Sequence, residues 1–173
     1  MRSMLCPIVT LRENLMFALR LLLSWLFAVF LIFVYVNATL HPLPDPPEGF
    51  VKLFDRPGDN VIFQTMADKT GIELLEPTGR VVVAVFELLL CVFLLIPASR
   101  RFGAALSALL MMGAVTVHLM PDILGRELPA STAVFESGTD FGRVFMLSVA
   151  MLAVSILLFF SHPVRKTVEM EDV

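Results

Sequence analysis

Two apolar runs joined by a short basic turn decide the fold of this chain: VVVAVFELLLCVFLLIP at residues 81–97 and FGAALSALLMMGAVTVHLM at residues 102–120. Each run is close to the roughly 20 apolar residues that an α-helix needs to cross a bilayer. Only four residues, Ala98 to Arg101, separate the two runs. Because so short a connection leaves no room for a crossover, the sequence predicts two antiparallel, neighbouring membrane helices.

Two further apolar runs flank this pair, LLLSWLFAVFLIFVYV at residues 21–36 and VFMLSVAMLAVSILLFF at residues 144–160. The first run extends to Leu15 if Arg20 reaches the headgroups with its guanidinium. A cleaved signal peptide ending near Val36-Asn37-Ala38 is the alternative, but such a leader is unusually long. We therefore predict four spans, at about residues 15–37, 79–97, 102–120 and 142–161.

The composition of the whole chain also indicates a membrane protein. Hydrophobic residues make up 57% and charged residues 17% of 173 residues, against roughly half and about a quarter in soluble domains. The mean hydropathy is +0.83. The sequence predicts a single all-α membrane domain over residues 1–173, a bundle of four transmembrane helices without room for a separate soluble catalytic domain.

Charge and cysteine content exclude several classes of partner. The net charge of −3 and the absence of any block of five or six Lys or Arg argue against nucleic acid. The two cysteines, Cys6 and Cys91, belong to no Cys-x-x-Cys motif and no Cys/His cluster. We therefore expect neither a disulfide scaffold nor a metal site.

The long connection at residues 38–78 is predicted to cap the outer mouth of the bundle. Its proline-rich start, His41 to Pro47, is stiff and cannot be helical. Apolar residues then recur among charged ones at spacings typical of short interfacial helices, namely Phe50, Leu53, Phe54, Val61, Ile62, Met66 and Ile72. A mobile loop is the alternative.

The distribution of basic residues predicts the orientation of the spans. With four spans, one side receives Arg2, Arg12, Arg20, Arg100, Arg101, Arg165 and Lys166. The other side carries Lys52, Arg56, Lys69, Arg80, Arg126 and Arg143, spread over a longer stretch with more acids. Both termini are therefore predicted to be cytoplasmic.

Polar residues inside or beside the spans are the candidates for chemistry. A charge at the bilayer centre costs about 2.5 to 3.5 kcal/mol, so Glu87 is a functional candidate. His118, near the outer end of its helix, is placed near the level of Arg80, with Glu87 deeper. Arg143 and Asp140, at the start of the fourth span, lie at the same level. We predict one outward-opening pocket bordered by these side chains.

These residue types suit proton transfer better than covalent catalysis. Glu87 and His118 are candidates for a proton relay to a lipid-soluble redox carrier, and Arg80 and Arg143 for holding an anionic headgroup or substrate. The alternative is that Glu87 is a neutral acid bonded to a neighbouring helix and that the other side chains anchor at the headgroups. No nucleophile triad or phosphate loop is present, which disfavours hydrolysis and phosphoryl transfer.

Several segments resemble the DoxX-like membrane proteins over roughly Val61 to Phe160. The resemblance rests on GIELLEPTGR at residues 71–80, VFELLL at 85–90, LLIP at 94–97, GAA at 103–105 and GAVTVHL at 113–119. Its most specific elements are the Glu87-Leu88 pair and the Gly113-Ala114 and His118-Leu119 pairs. The chain departs from the pattern in the continuation His118-Leu-Met-Pro-Asp122, in the proline-rich insertion and in the charged tail after Pro163.

The resemblance implies a four-helix bundle with a quinone-linked or accessory redox role. We therefore expect a subunit of a larger redox or respiratory-type assembly in a bacterial-type inner (plasma) membrane, surrounded by membrane lipid and other membrane-protein subunits. No intrinsic cofactor is expected, and a quinone or a bound lipid is the expected ligand. A purely structural accessory subunit is the alternative. A small transporter is weaker, because a single intramembrane ionisable residue makes a poor pathway. These residues leave open whether the chain is itself an enzyme.

Overall fold

The computed structural model describes residues 5–40, 49–132 and 138–163, and the regular secondary structure in these ranges is helical. The elements are α1 (Leu5–Leu40), α2 (Val61–Thr70), a 3₁₀ turn (Glu73–Leu75), α3 (Thr78–Leu95), α4 (Arg100–Leu119) and α5 (Arg143–Ser161). Four of them, α1, α3, α4 and α5, are long and apolar enough to cross a membrane. The prediction of a four-span helical bundle is confirmed, and the chain is a multi-pass membrane protein. The proline-rich stretch that starts the outer loop and the charged tail lie outside the described residues.

The membrane-length segments run over Arg12–Leu40, Glu73–Leu95, Arg100–Leu119 and Arg143–Ser161. Their bounds lie within about one turn of the predicted ones, except that the second begins earlier at the 3₁₀ turn. With 36 residues, α1 is about 54 Å long at 1.5 Å per residue, nearly twice the roughly 30 Å hydrocarbon core. It therefore extends beyond the rest of the bundle.

The four spans form a ring in which α1 and α4 each pack against both α3 and α5. The 81–97 and 102–120 runs are neighbours, as their short connection requires. Apolar side chains from all four helices fill the centre of the ring, namely Ala28, Leu31, Leu90, Leu94, Ala104, Met111, Met151 and Leu158. We call the end with the Pro97–Arg100 connection the turn end, and the opposite end the loop end.

Helices α3 and α4 make their closest contact at the turn end, beside Gly103. A Cβ built on Gly103 would lie 2.9 Å from the Cβ of Phe93 and 3.2 Å from the backbone nitrogen of Leu94. Ten residues further along α4, a Cβ on Gly113 would meet nothing within 4 Å. Helices α3 and α4 are therefore in backbone contact beside Gly103, whereas the space beside Gly113 is open.

The loop end is covered by α2 and by the connection between α4 and α5. Val61 of α2 forms a buried cluster with Leu124 and Leu128 of that connection. The Lys69 ammonium donates to the backbone oxygens of Pro121 at 3.0 Å and Leu124 at 3.3 Å. These contacts fix α2 across the end of the bundle, where the sequence predicts a cap of short helices.

The contrast between the two glycines of α4 gives a stability prediction. Gly103→Ala is expected to cost about 1 to 3 kcal/mol through overpacking, lowering the thermal midpoint by about 2 to 12 °C. Gly113→Ala, the matched control, gains up to about 1 kcal/mol of helix propensity without a clash. Thermal unfolding of both purified variants in one detergent tests this. Equal midpoints would contradict the close packing of α3 on α4.

Candidate functional site

A cavity of about 480 Å³ opens at the loop end, within the range of about 300 to 1,000 Å³ typical of small-molecule sites. All four spans and the cap contribute to its wall. Most of the lining side chains are apolar, including Val34, Val51, Phe63, Met66, Val83, Leu110, Met111, Val117 and Met151. The polar residues of the lining are Tyr35, Asn37, Lys52, Glu87, His118 and Ser148.

The cavity reaches the lipid-facing surface of the bundle. Gly113 and Leu147 line it and are exposed, Leu147 by 41%. A Cβ built on Gly113 would meet no atom within 4 Å, so no side chain closes the cavity at this exposed position of α4. An apolar ligand therefore has a route into the site from the hydrocarbon region.

Glu87 is held in a charged hydrogen-bonded cluster at the cavity wall. Its side chain belongs to the buried stripe of α3 and is 3% exposed. One carboxylate oxygen, Oε2, accepts a 2.8 Å hydrogen bond from the hydroxyl of Thr39 and lies 3.1 Å from the Lys52 ammonium. Because Lys52 comes from the cap, this ion pair joins the cap to the membrane helices.

Arg80 positions Lys52 and does not line the cavity. The Arg80 guanidinium donates from Nε to both oxygens of Glu76 at 2.9 Å and from Nη1 to the backbone oxygen of Lys52. Glu76 also accepts from the backbone N–H of Gly58 at 3.3 Å. The backbone N–H of Lys52 in turn donates to the last turn of α1, at the oxygen of Ala38. The side chain predicted to bind an anion thus bonds to Glu76 and to the backbone of the cap.

His118 lines the cavity together with Glu87, so the structure brings these two predicted residues to one site. The His118 ring is buried, with its Nδ1 2.8 Å from the backbone oxygen of Gly125. Its ring centroid lies 5.8 Å from that of Phe145. Since a carbonyl oxygen only accepts hydrogen bonds, Nδ1 carries a hydrogen, and in the neutral ring Nε2 is an acceptor.

Arg143 and Asp140 do not line the cavity. Arg143 is exposed at the start of α5. Asp140 accepts hydrogen bonds from the backbone N–H groups of Leu128, Gly142 and Val144 at 2.8 to 3.0 Å. Burial raises the Asp140 pKa, but these three bonds outweigh it and lower the pKa below its usual value. Asp140 thus caps α5 and ties down the α4–α5 connection.

Three hydroxyl side chains, the first of them that of the lining residue Tyr35, link three helices. Tyr35 of α1 lies 2.7 Å, oxygen to oxygen, from Ser107 of α4, and Ser107 lies 2.7 Å from Ser155 of α5. Ser155 donates to the backbone oxygen of Met151 at 2.7 Å. Such bonds between transmembrane helices satisfy polar groups that lipid cannot.

A second polar cluster occupies the turn end, around the fully buried Arg100. The Arg100 guanidinium donates to the backbone oxygens of Leu94 and Leu95 at the end of α3 and to the Ser24 hydroxyl. It also lies 3.8 Å over the Trp25 ring. Ser24 is 2.7 Å from Nδ1 of His162. Arg100 therefore satisfies carbonyls that the end of a helix leaves without partners.

Sequence patterns alone did not reveal several of these groups. Lys52 and Thr39 lie in the loop and at the end of α1, far along the chain from Glu87, so no spacing connects them. Tyr35 and Ser148 interrupt apolar runs, which is a usable signal, because a polar group inside a span needs a partner. Glu76 and Arg80 have the four-residue spacing of a helical ion pair, so their contact could also have been inferred from the sequence.

Comparisons with known proteins give no relative for this chain. No protein-family model, no curated protein and no solved structure matches it. The site is therefore interpreted from its own geometry.

The buried Lys52–Glu87 pair gives the second prediction. Lys52→Met leaves the Glu87 carboxylate buried without its cation, which costs about 3 kcal/mol or about 6 to 12 °C in thermal midpoint. Lys52→Met combined with Glu87→Gln removes both charges and is expected to regain most of that loss. Arg56→Met, at an exposed cation of the cap, is the control and should change the stability by at most about 0.5 kcal/mol. A double variant no more stable than Lys52→Met alone would contradict the pairing.

His162 gives a pH dependence. Burial, and next the positive charge of Arg100, lower the His162 pKa below the ordinary value of about 6.5. Folded His162 therefore holds a proton less tightly than the unfolded chain does, and its contribution to stability is lost as the pH falls below about 6.5. Between about pH 7.5 and about pH 5.5, the thermal midpoint should fall less in His162→Gln than in the parent chain. Equal decreases in both proteins would contradict this role.

Proposed function

We propose that this protein binds a lipid-soluble amphiphile of the quinone class in the loop-end cavity, as a subunit of a larger redox or respiratory-type assembly in a bacterial-type inner (plasma) membrane. The observation that carries the proposal is the cavity itself, with a mostly apolar wall, access from the lipid side, and Glu87 and His118 together in its lining.

The apolar and polar parts of the cavity wall suit the hydrocarbon and oxygen-bearing parts of such a ligand. The apolar side chains of four spans can surround a ring and the start of a hydrocarbon tail, and the open space beside Gly113 lets the rest of the tail pass into the bilayer. The polar atoms of Glu87 and His118 can bond oxygen substituents of the ring. Because these groups lie in a low-dielectric region, such bonds orient a ligand more strongly than they would in water.

Proton exchange with the bound ligand is part of the proposal. A quinone takes up two protons when it is reduced and releases two when its quinol is oxidised. His118 can accept a proton at Nε2, and the carboxylate of Glu87, paired with Lys52 at 3.1 Å, is a second base at the same wall. We assign these two residues the relay role predicted from the sequence. Arg143, exposed at the start of α5, is the candidate for contact with an anionic headgroup.

The DoxX-like resemblance supports the redox assembly, and the charge distribution supports the orientation. With both termini in the cytoplasm, the turn end faces inward and the cap and cavity face outward. A purely structural accessory subunit is the second candidate. The observation that favours it is the engagement of Arg80 and Arg100 in hydrogen bonds to Glu76, to Ser24 and to backbone oxygens.

A cavity-filling variant distinguishes binding from structure. Ala114 lines the cavity on α4, whereas Ala105 is exposed on the same helix. Ala114→Phe is expected to reduce quinone or lipid that copurifies with the chain by about tenfold or more, the effect of about 1.4 kcal/mol, whereas Ala105→Phe leaves it unchanged. Native mass spectrometry in mild detergent, followed by extraction and identification of the bound molecule, measures this.

Two outcomes would contradict the binding proposal. Equal ligand content in the Ala114→Phe and Ala105→Phe proteins would place the bound molecule outside the cavity. A parent chain that carries no quinone or lipid, and takes up none when a short-tailed quinone is added, would favour the structural subunit. Release of partner subunits by either variant, seen in the same spectra, tests assembly separately.

A further inference from the structure

The direction of each hydrogen bond in the Tyr35 chain follows from counting hydrogens. A hydroxyl has one hydrogen to donate, and a backbone oxygen has none. Ser155 donates its hydrogen to the Met151 oxygen, so Ser155 accepts in its 2.7 Å contact with Ser107. Ser107 is therefore the donor there and must accept from Tyr35. The Tyr35 hydroxyl therefore donates its hydrogen to Ser107, and its oxygen can still accept a hydrogen bond.

The same count applies to two other side chains of the cavity wall. Ser148 donates its hydrogen to the Val144 oxygen at 2.9 Å. His118 donates from Nδ1 to the Gly125 oxygen at 2.8 Å, which leaves Nε2 as an acceptor in the neutral ring. The Glu87 carboxylate, which receives hydrogens from Thr39 and Lys52, is itself only an acceptor. Four of the lining residues therefore have acceptor atoms with unused lone pairs.

Donors are scarcer on the same wall. Among the lining side chains that the structure describes, N–H groups beyond those already engaged belong to Lys52 and Asn37. The Lys52 ammonium is held beside the Glu87 carboxylate at 3.1 Å. Asn37 lies near the end of α1 and is partly exposed.

We infer that the cavity selects the hydroxyl-bearing, reduced form of its ligand over the carbonyl form. This inference rests on the proposed function and specifies its ligand as a lipid-soluble quinol or related phenol. A quinol brings two O–H donors to a wall rich in acceptors. Its quinone has only acceptor oxygens, which cannot form hydrogen bonds with the acceptor atoms of Tyr35, His118 and Ser148. The selection requires no chemical step, because it is a difference between two binding equilibria.

Anaerobic calorimetric titration of the full chain in lipid nanodiscs tests this. The probes are a benzoquinol and its benzoquinone with the same decyl tail, and empty nanodiscs are titrated to subtract partition into lipid. The quinol is expected to bind about tenfold more tightly than the quinone, because a tenfold ratio corresponds to about 1.4 kcal/mol, or about one to two hydrogen bonds.

Variants identify the acceptors. Ser148→Ala and His118→Leu each remove one acceptor and are expected to reduce the quinol-to-quinone preference by about half or more on a logarithmic scale. Thr116→Val is the matched control, because Thr116 also donates to the oxygen four residues earlier, at 2.7 Å, but is exposed and outside the lining. It should leave the ratio unchanged. If His118→Leu fails to fold, Ser148→Ala, a smaller change, still gives the result.

The outcomes separate this inference from the function on which it rests. Quinone binding as tight as quinol binding would overturn the selection for the reduced form and leave the binding proposal standing. A preference for quinol that persists in both Ser148→Ala and His118→Leu would overturn the assignment of acceptors. Failure of both probes to bind would overturn the proposed function and this inference together.

Discussion

A polar group inside the hydrocarbon region has no water to bond to, so it must find its partner within the protein. Each buried polar cluster of this bundle joins elements that are distant in sequence. Glu87 of α3 binds Thr39 of α1 and Lys52 of the cap, and Tyr35 of α1 reaches Ser107 of α4. Because lipid provides little hydrophobic drive between helices, these contacts help to determine which helices meet and at which depth.

The two buried arginines show how this requirement shapes both ends of the bundle. Arg80 at the loop end and Arg100 at the turn end each use several guanidinium N–H groups on backbone oxygens and neighbouring side chains. A guanidinium suits this task because its five donors point in fixed directions. At the turn end, Arg100 closes the end of α3 against the start of α4. At the loop end, Arg80 fixes the backbone of Lys52, and thereby the ammonium group that reaches Glu87. Arginine is usually interpreted as a signal for membrane orientation, but here it also joins elements inside the protein.

The fold was predictable because it depends on sequence features that extend over many residues. Four apolar runs and one very short turn are enough to predict four spans and one antiparallel pair. Two residues of the candidate site, Glu87 and His118, could be found in the same way, because they are ionisable residues in or beside apolar helices. The contribution of Lys52 depends on how the outer loop folds back over the bundle. Lys52 meets Glu87 because its backbone N–H donates to the last turn of α1 and Arg80 binds its backbone oxygen. No local pattern encodes such a sequence of contacts.

The cavity itself follows from an asymmetry between the two ends of α4. Gly103 allows the backbones of α3 and α4 to touch at the turn end, and Gly113 adds no side chain to the cavity wall nearer the loop end. The cap then covers the cavity, and the Lys52 side chain lies at its wall, paired with Glu87. Hydroxyl and imidazole hydrogens are consumed by backbone oxygens and by one another, a consequence of satisfying polar groups without water. The same constraint that holds the helices together therefore leaves lone pairs at the cavity wall, and a ligand that donates hydrogen bonds is the one that complements them.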